Sequence, residues 1–176
     1  MADPADISAQ GSPFWRFSLA FYRRPGVGEA CIQLQDACAV DVNLLLFLLW
    51  LASAKRRLSA DEVRAVDDKV RGWRELTVLP LRAMRRTLKG NAPLVEAGLA
   101  EAYRSKIKGV ELEAERLQQE ALYALAQSVS PGAPDASSPD EAARANIAAY
   151  QAVLGREFPT APVAVLLGAF KVGVQA

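Results

Sequence analysis

Four cations, Arg82, Arg85, Arg86 and Lys89, fall at positions i, i+3, i+4 and i+7. On a helix this spacing makes one stripe, because residues three and four apart are surface neighbours. Such a stripe could grip a phosphate, an RNA or an acidic protein. It has no interleaved aromatic residues on which bases could stack, which disfavours nucleic acid. Leu81, Met84 and Leu88 fall on another side of the same helix. The four cations are therefore expected to face solvent, since burying four unpaired charges would be prohibitive. The stripe is part of a wider asymmetry. Residues 51–90 carry eleven basic and five acidic side chains, whereas all 176 residues together have a net charge of +1. An acidic protein is the partner this pattern suggests.

A second group of polar residues, Asp36, Asp41 and Asn43 with Gln33 and Gln35, interrupts an otherwise apolar stretch. Turned inward, they would line a pocket, and Asp36 with Asp41 could bind a ligand or act as an acid/base pair. Capping is the competing role. Asp41 can accept the backbone N–H groups of residues 43 and 44, with Asn43 in the exposed first turn. Glu111 and Glu115 are one turn apart and could hold Mg²⁺. With Lys108 and Arg116 beside them, they read as a solvated, ion-paired helix face. Gly26-Val27-Gly28 follows an aromatic helical pattern, not a strand, and reads as an inter-helix turn instead of a phosphate loop. Five of the thirteen aromatic residues lie at positions 14–22. One narrow helix face cannot bury them all, so this helix either is wrapped by the core or meets a ligand.

The chain contains no histidine. This excludes Ser-His-Asp and Cys-His nucleophile pairs and every metal site that needs imidazole. Cys31 and Cys38, seven residues apart on one helix, lie roughly 10 Å apart along its axis. That exceeds the reach of a disulfide, about 7 Å between Cα atoms. Both are expected to be buried, reduced thiols. No catalytic residue, metal-ligand set or cofactor is assigned.

The elements that must position these residues are all helical. Ser12-Pro13 caps a first helix, ended by Arg24-Pro25-Gly26. Val27, Cys31, Leu34 and Cys38 mark the apolar stripe of a second. Asp41 opens a third, over residues 42–55, whose middle is apolar all round, so it should sit at the centre of a bundle. Ser59 and Glu62 form a capping-box pattern before a long segment over residues 60–89. Pro80 should kink or break it near residues 76–80. Gly90, Asn91 and Pro93 end it. The longest pattern, residues 97–129, has a seam of Leu99, Tyr103, Ile107, Val110, Ala114, Leu117, Ala121 and Leu125. The two long segments are expected to pack antiparallel across the central helix. Residues 130–139, rich in proline and serine, read as a flexible linker or exposed loop, and Ser138-Pro139-Asp140-Glu141 repeats the capping-box logic and opens a helix to about residue 154. No hairpin signal of the Asn-Gly or Asp-Gly kind occurs between alternating runs.

The expected fold is a single-domain all-α bundle of six or seven helices. Residues 1–11 form a disordered tail, 12–129 the helical domain, 130–139 the loop, and 140–176 C-terminal helices packed on the domain. The start, Met-Ala-Asp-Pro-Ala-Asp, has no secretory pattern, and no arginine precedes Arg16. The longest apolar run, residues 44–52, would reach roughly 13 Å as a helix against a hydrocarbon core of about 30 Å. A cytoplasmic protein without a transmembrane segment is expected.

The stretch FWRFSLAFYRRPGVGEACIQLQDACAVDVNLLLFLLWLA, with WRELTVLPLRAMRRTLKG and YRSKIKGVELEAERLQQEAL downstream, resembles the DUF2390 family of uncharacterised proteobacterial proteins. The resemblance covers roughly residues 13–129 and implies no catalytic residue. The residues themselves suggest a protein-interaction or regulatory module working through its basic surface. The alternative is an enzyme or carrier with an apolar tunnel for an isoprenoid or acyl chain, gated by the aromatic first helix. A cavity above roughly 300 Å³ beside Asp36 or Asp41 would favour that alternative.

Overall fold

The computed structural model describes residues 11–90 and 94–174. Among them are eight α-helices: α1 (Pro13–Tyr22), α2 (Val27–Cys38), α3 (Val42–Ser53), α4 (Ala60–Trp73), α5 (Leu79–Thr87), α6 (Ala97–Val129), α7 (Pro139–Leu154) and α8 (Thr160–Val174). A π-helical segment, Arg74–Val78, joins α4 to α5. Counted as continuous rods, these are seven. No strand forms among the described residues, and the only sheet-like contact there is an isolated bridge between Arg57 and Ala133. The fold is an all-α bundle. Most of the tail expected over residues 1–11, and Asn91 and Pro93, lie outside the described residues.

The caps read from the sequence set the helix starts. Ser12 Oγ accepts the Trp15 N–H at 3.1 Å, and Ser138 Oγ accepts that of Glu141 at 3.1 Å. Ser59 and Glu62 close a full capping box. Gly26, at φ +76°, turns the chain between α1 and α2, a left-handed conformation that glycine adopts without steric cost.

The apolar third helix is central, as its all-round hydrophobicity predicts. From Leu44 to Leu49 no side chain is more than 3% exposed. Phe14 of α1 packs edge-on to Phe47 at 5.3 Å, and Trp50 bridges onward to Tyr123 of α6 at 5.7 Å. The expected antiparallel sandwich across α3 is not what forms. The helix packs chiefly on α7, with α1, α6 and α2 around it, while α4 packs on α7 and α6. Asn146 of α7 is fully buried and explains part of this arrangement. Its Oδ1 accepts the Leu58 N–H at 2.8 Å, and its Nδ2 donates to the carbonyls of Leu48 and Arg56, both at 3.0 Å. These bonds tie α7 to α3 through the Leu48 carbonyl and satisfy the Arg56 carbonyl and Leu58 N–H in the segment that follows α3.

Three local features depart from the sequence reading. Pro80 does not break the long segment. Proline lacks the N–H that would bond the residue 76 carbonyl, and the chain absorbs the loss by widening into the π turn at 74–78. Residues 130–137 form an exposed loop, with Ser130, Ala133, Pro134, Asp135 and Ser137 at the surface, but one docked on the domain and not a flexible linker. Arg57 and Ala133 exchange backbone hydrogen bonds at 2.9 and 3.0 Å, and the Arg56 guanidinium donates to the carbonyls of Ser130, Pro131 and Gly132. The third departure is α6. Of the seam Leu99, Tyr103, Ile107, Val110, Ala114, Leu117, Ala121 and Leu125, only Ile107 and Ala114 are buried. The buried face runs through Ala100, Ile107, Glu111, Ala114, Gln118, Gln119, Leu122 and Ala126. The helix is rotated so that polar residues face inward, because each has a partner there.

Candidate functional site

Two groups of ion-paired polar side chains stand on α6, one shared with α3, α4 and the π segment and the other with α5. The first group centres on Arg74, at the start of the π segment. Its Nη1 donates to Asp41 Oδ2 at 2.8 Å and to Asp67 Oδ1 at 2.7 Å. Gln118 donates to the same Asp41 oxygen at 2.6 Å, while Asp41 Oδ1 accepts the Asn43 N–H at 2.9 Å. Arg71 completes the cluster on Asp67 at 3.0 Å. Asp41 is thus both the N-cap of α3 and one arm of a buried ionic triad. Burial pushes the Asp67 carboxyl up, but the hydrogen bonds and charges of Arg74 and Arg71 outweigh it and hold the group below the usual carboxylate range.

The second group contains the cationic stripe. The expectation of four solvent-facing cations fails for half of it. The Arg82 side chain is only 14% exposed and that of Arg85 25%, whereas Arg86 and Lys89 are exposed. Arg82 donates to Glu111 at 3.1 Å and to Glu115 at 2.5 Å, and Arg85 forms a two-pronged contact with Glu111. The physical reason is pairing: the cost of burying a charge is offset when carboxylates meet it. α5 turns its arginines toward α6 and leaves Met84 outward, 47% exposed. Glu111 and Glu115 are accordingly not a solvated face: arginines of α5 occupy their carboxylates. No group of three or more possible metal ligands occurs among the described residues. Burial raises the Glu111 pKa, but its bonds to Arg85 and Arg82 bring it below the ordinary value. At Glu115 burial wins over the Arg82 contact, and the carboxyl is held above its ordinary value.

Between these groups and α1 lies a cavity of about 410 Å³. Its apolar wall is built by Trp15, Leu19 and Tyr22 of α1, Ile32 of α2, Val42 and Leu46 of α3, and Leu112 of α6. Its rim carries Arg23, Arg82, Arg85, Arg86 and Lys108 against Glu111 and Glu115. Five cations face two carboxylates, so the cleft has a cationic excess. Arg23 and Lys108 have no carboxylate partner among the described residues. Asn43 and Gln35 also line the cavity; Asp36 is exposed and holds Arg86 at 2.9 Å, and Asp41 lies behind Asn43 in the triad. Lys89 is outside the cavity lining. The aromatic first helix divides its work. Phe14 and Phe21 are core, whereas Trp15 and Tyr22 face the cleft. Cys31 and Cys38 are free and buried, as expected, and burial pushes the Cys31 thiol up to about 12.

Several cleft residues were not singled out by sequence reasoning, Ser18, Gln119 and Arg23, and Lys108 entered only as a neighbour of Glu111 and Glu115. Ser18 carried a signal, since a lone hydroxyl stands at helical spacing between Phe14 and Phe21 on a face that must be buried. Gln119 lies on the side of α6 that the hydrophobic seam assigned to solvent.

The fold and the cleft define a class, an all-α protein with a deep apolar recess under a cationic rim. The chain belongs to DUF2390, a family described as protein of unknown function, whose model matches residues 13–122. Every residue lining the cavity falls within that span, while α7 and α8 fall outside it. No curated protein and no solved structure matches the chain.

Proposed function

We propose that this protein binds a small amphipathic anion in the cleft between α1, α5 and α6, as a carrier or sensor. The observation that carries the reading is the cavity of about 410 Å³, with an apolar wall and a cationic excess at its rim. Cavities of this size take small organic ligands, and a few convergent polar groups on an apolar lining fix their orientation. The arginines expected to meet a protein partner serve here as the rim of a recess. An apolar body with a carboxylate or phosphate head satisfies both halves of the site. No helix among the described residues is long and apolar enough to cross a membrane. A cytoplasmic location is part of the proposal.

The test is calorimetric titration of the protein with 2-naphthoate and with uncharged 2-naphthamide. The acid should bind and the amide should bind at least about tenfold more weakly. The double variant Arg23→Glu with Lys108→Glu reverses two rim charges that have no ion-pair partner among the described residues, so folding is preserved. It should weaken naphthoate binding by at least tenfold. Equal affinity in the variant, or no binding of the acid at all, overturns the reading.

A second reading, protein–protein interaction, has its own observation. Leu99, Tyr103, Val110 and Leu117 of α6 form an outward stripe, each more than 40% exposed. A contiguous exposed apolar strip marks a contact surface more often than an isolated residue does. Tyr103→Lys with Val110→Lys should leave the fold intact and abolish recovery of any native partner; unchanged recovery removes this reading.

A further inference from the structure

Two buried polar atoms at the cleft have no use in the free protein. Ser18 is 3% exposed and Gln119 is 3% exposed, and both line the cavity. Ser18 Oγ and Gln119 Oε1 have no hydrogen-bond partner among the described residues. A buried polar group without a partner is costly, and one at a concave site points to a ligand group that completes it. The amide nitrogen of Gln119 is fixed by donating to Asn43 Oδ1 at 2.8 Å, which directs the free oxygen as an acceptor. A ligand atom meeting Gln119 Oε1 must therefore donate. The Ser18 hydroxyl can accept a hydrogen bond or donate one.

The placement of these atoms relative to the cationic rim sets the ligand's length. Gln119 lies four residues beyond Glu115 and eight beyond Glu111 on the same helix. At about 1.5 Å per residue it is roughly 6 Å from the first and roughly 12 Å from the second along the axis. Arg82 sits on both carboxylates and Arg85 on Glu111. α1 runs antiparallel to this stretch. Its N-terminus meets Glu120 through the Ser12 N–H at 2.9 Å, and Tyr22 at its other end feels the charges of Glu115 and Arg82. Ser18, six residues on from Ser12 and four before Tyr22, lies roughly 9 Å along the axis from the Ser12 end, about one turn short of Gln119. The cleft is thus cationic at the end beyond Glu111, and carries its two unsatisfied polar atoms, Ser18 Oγ and then Gln119 Oε1, along the remaining length beside the apolar wall of Trp15, Leu19 and Leu46.

We infer that the ligand is a bipolar molecule, an aromatic or acyl anion bearing a hydroxyl or amino donor about 10 Å from its acidic group, and that Ser18 and Gln119 read that donor. This rests on the cleft binding an amphipathic anion and adds the far-end specificity. Sites built to hydrogen-bond a hydroxyl reject analogues lacking it, because the site's own polar atoms are then left unpaired.

The experiment compares 6-hydroxy-2-naphthoate, 6-methoxy-2-naphthoate and 2-naphthoate by calorimetry on the full chain. All share the anion and the ring; only the first has a donor at the far end. The hydroxy acid should bind at least tenfold more tightly than either of the others. Ser18→Ala and Gln119→Met should each erase that preference while leaving 2-naphthoate affinity within about twofold. Ser18→Ala should also raise the melting temperature of the free protein or leave it unchanged, because it removes an orphaned hydroxyl. A purely structural serine would instead lower it. If the three acids bind equally, or the preference survives in Ser18→Ala, the far-end proposal is overturned and the anion-binding reading stands. If none of the acids binds, both fall.

Discussion

Removing Arg74 should expose how much of the fold depends on one cation. Its guanidinium is shared by Asp41 and Asp67, whose side chains are 6% and 7% exposed. Arg74→Met keeps most of the aliphatic stem and deletes the charge, leaving two buried carboxylates without their common partner. Breaking a buried ion pair from one side costs about 3–5 kcal/mol, because the remaining charge is uncompensated. Arg71 still holds Asp67, and Gln118 still holds Asp41, so the lower half of that range is expected at neutral pH. For a domain of this size each kcal/mol lowers the melting temperature by roughly 2–4 °C, so a fall of at least about 6 °C follows. The assay is urea unfolding of both proteins across pH. The sign of the pH dependence follows from Asp67. Its folded pKa lies below the unfolded one, so its contribution is present above the unfolded value near 3.9 and is lost as pH falls through the folded value. The stability gap between wild type and Arg74→Met should therefore be widest near neutrality and shrink on acidification below about pH 4. A loss smaller than about 1 kcal/mol at pH 7, or a gap that grows in acid, would refute the claim that the triad is a paired buried network.

Other expectations follow from the same geometry. Leu48→Ala in the centre of α3 should cost about 2–5 kcal/mol in chemical denaturation, as an emptied leucine site in a tight core does. Gly132→Ala should destabilise the docked loop: its φ is +77°, and an added Cβ would stand 2.6 Å from the Leu58 side chain and 2.9 Å from the Arg57 carbonyl. Amide exchange at Ala133, whose N–H bonds Arg57, should speed up in that variant. Neither Cys31 nor Cys38 should react with a bulky thiol reagent at pH 8 in the native protein, since both are buried and the Cys31 thiol titrates near 12.

Much of the architecture was legible because it rests on local rules. Ser12-Pro13, Asp41, Ser59 with Glu62, and Ser138 each open a helix, and their roles depend only on residues within one turn. The burial of α3 needed no tertiary knowledge, since a helix without a polar face has nowhere else to go. What the pattern could not give was rotation. On α6 the periodic hydrophobic set and the buried set differ, because Glu111, Gln118 and Gln119 turn inward to meet Arg82 and Arg85, Asp41, and Asn43. A hydrophobicity pattern counts these three as solvent residues. Their partners are 26 to 77 positions away in sequence, and no local rule links them.

The same limit explains why the cleft could be reached only in parts. The stripe Arg82, Arg85, Arg86 and Lys89 was visible as a spacing, and so were Asp36, Asp41 and Asn43. A spacing fixes which residues share a helix face but not what that face meets. Solvation and pairing predict opposite orientations for the same four cations, and the choice between them is made by Glu111 and Glu115 on a different helix. Once α5 turns its arginines toward those carboxylates, it leaves a gap against α1, because two rows of long charged side chains cannot close as tightly as leucines do. That gap is the cavity. Its depth follows from Trp15 and Tyr22 standing along one wall, and its polarity from Ser18 and Gln119, each of which carries a buried oxygen without a hydrogen-bond partner among the described residues. The recess is a consequence of having buried ion pairs where a bundle would ordinarily place a hydrophobic seam. A variant that restores the seam should therefore abolish it. Arg82→Leu and Arg85→Met with Glu111→Leu and Glu115→Met replaces paired charges by apolar groups of similar volume. Such replacements are neutral or stabilising by up to about 4 kcal/mol in other buried pairs. The quadruple variant should fold with equal or greater stability and lose 2-naphthoate binding. If it binds the acid as wild type does, the ion pairs do not shape the cleft.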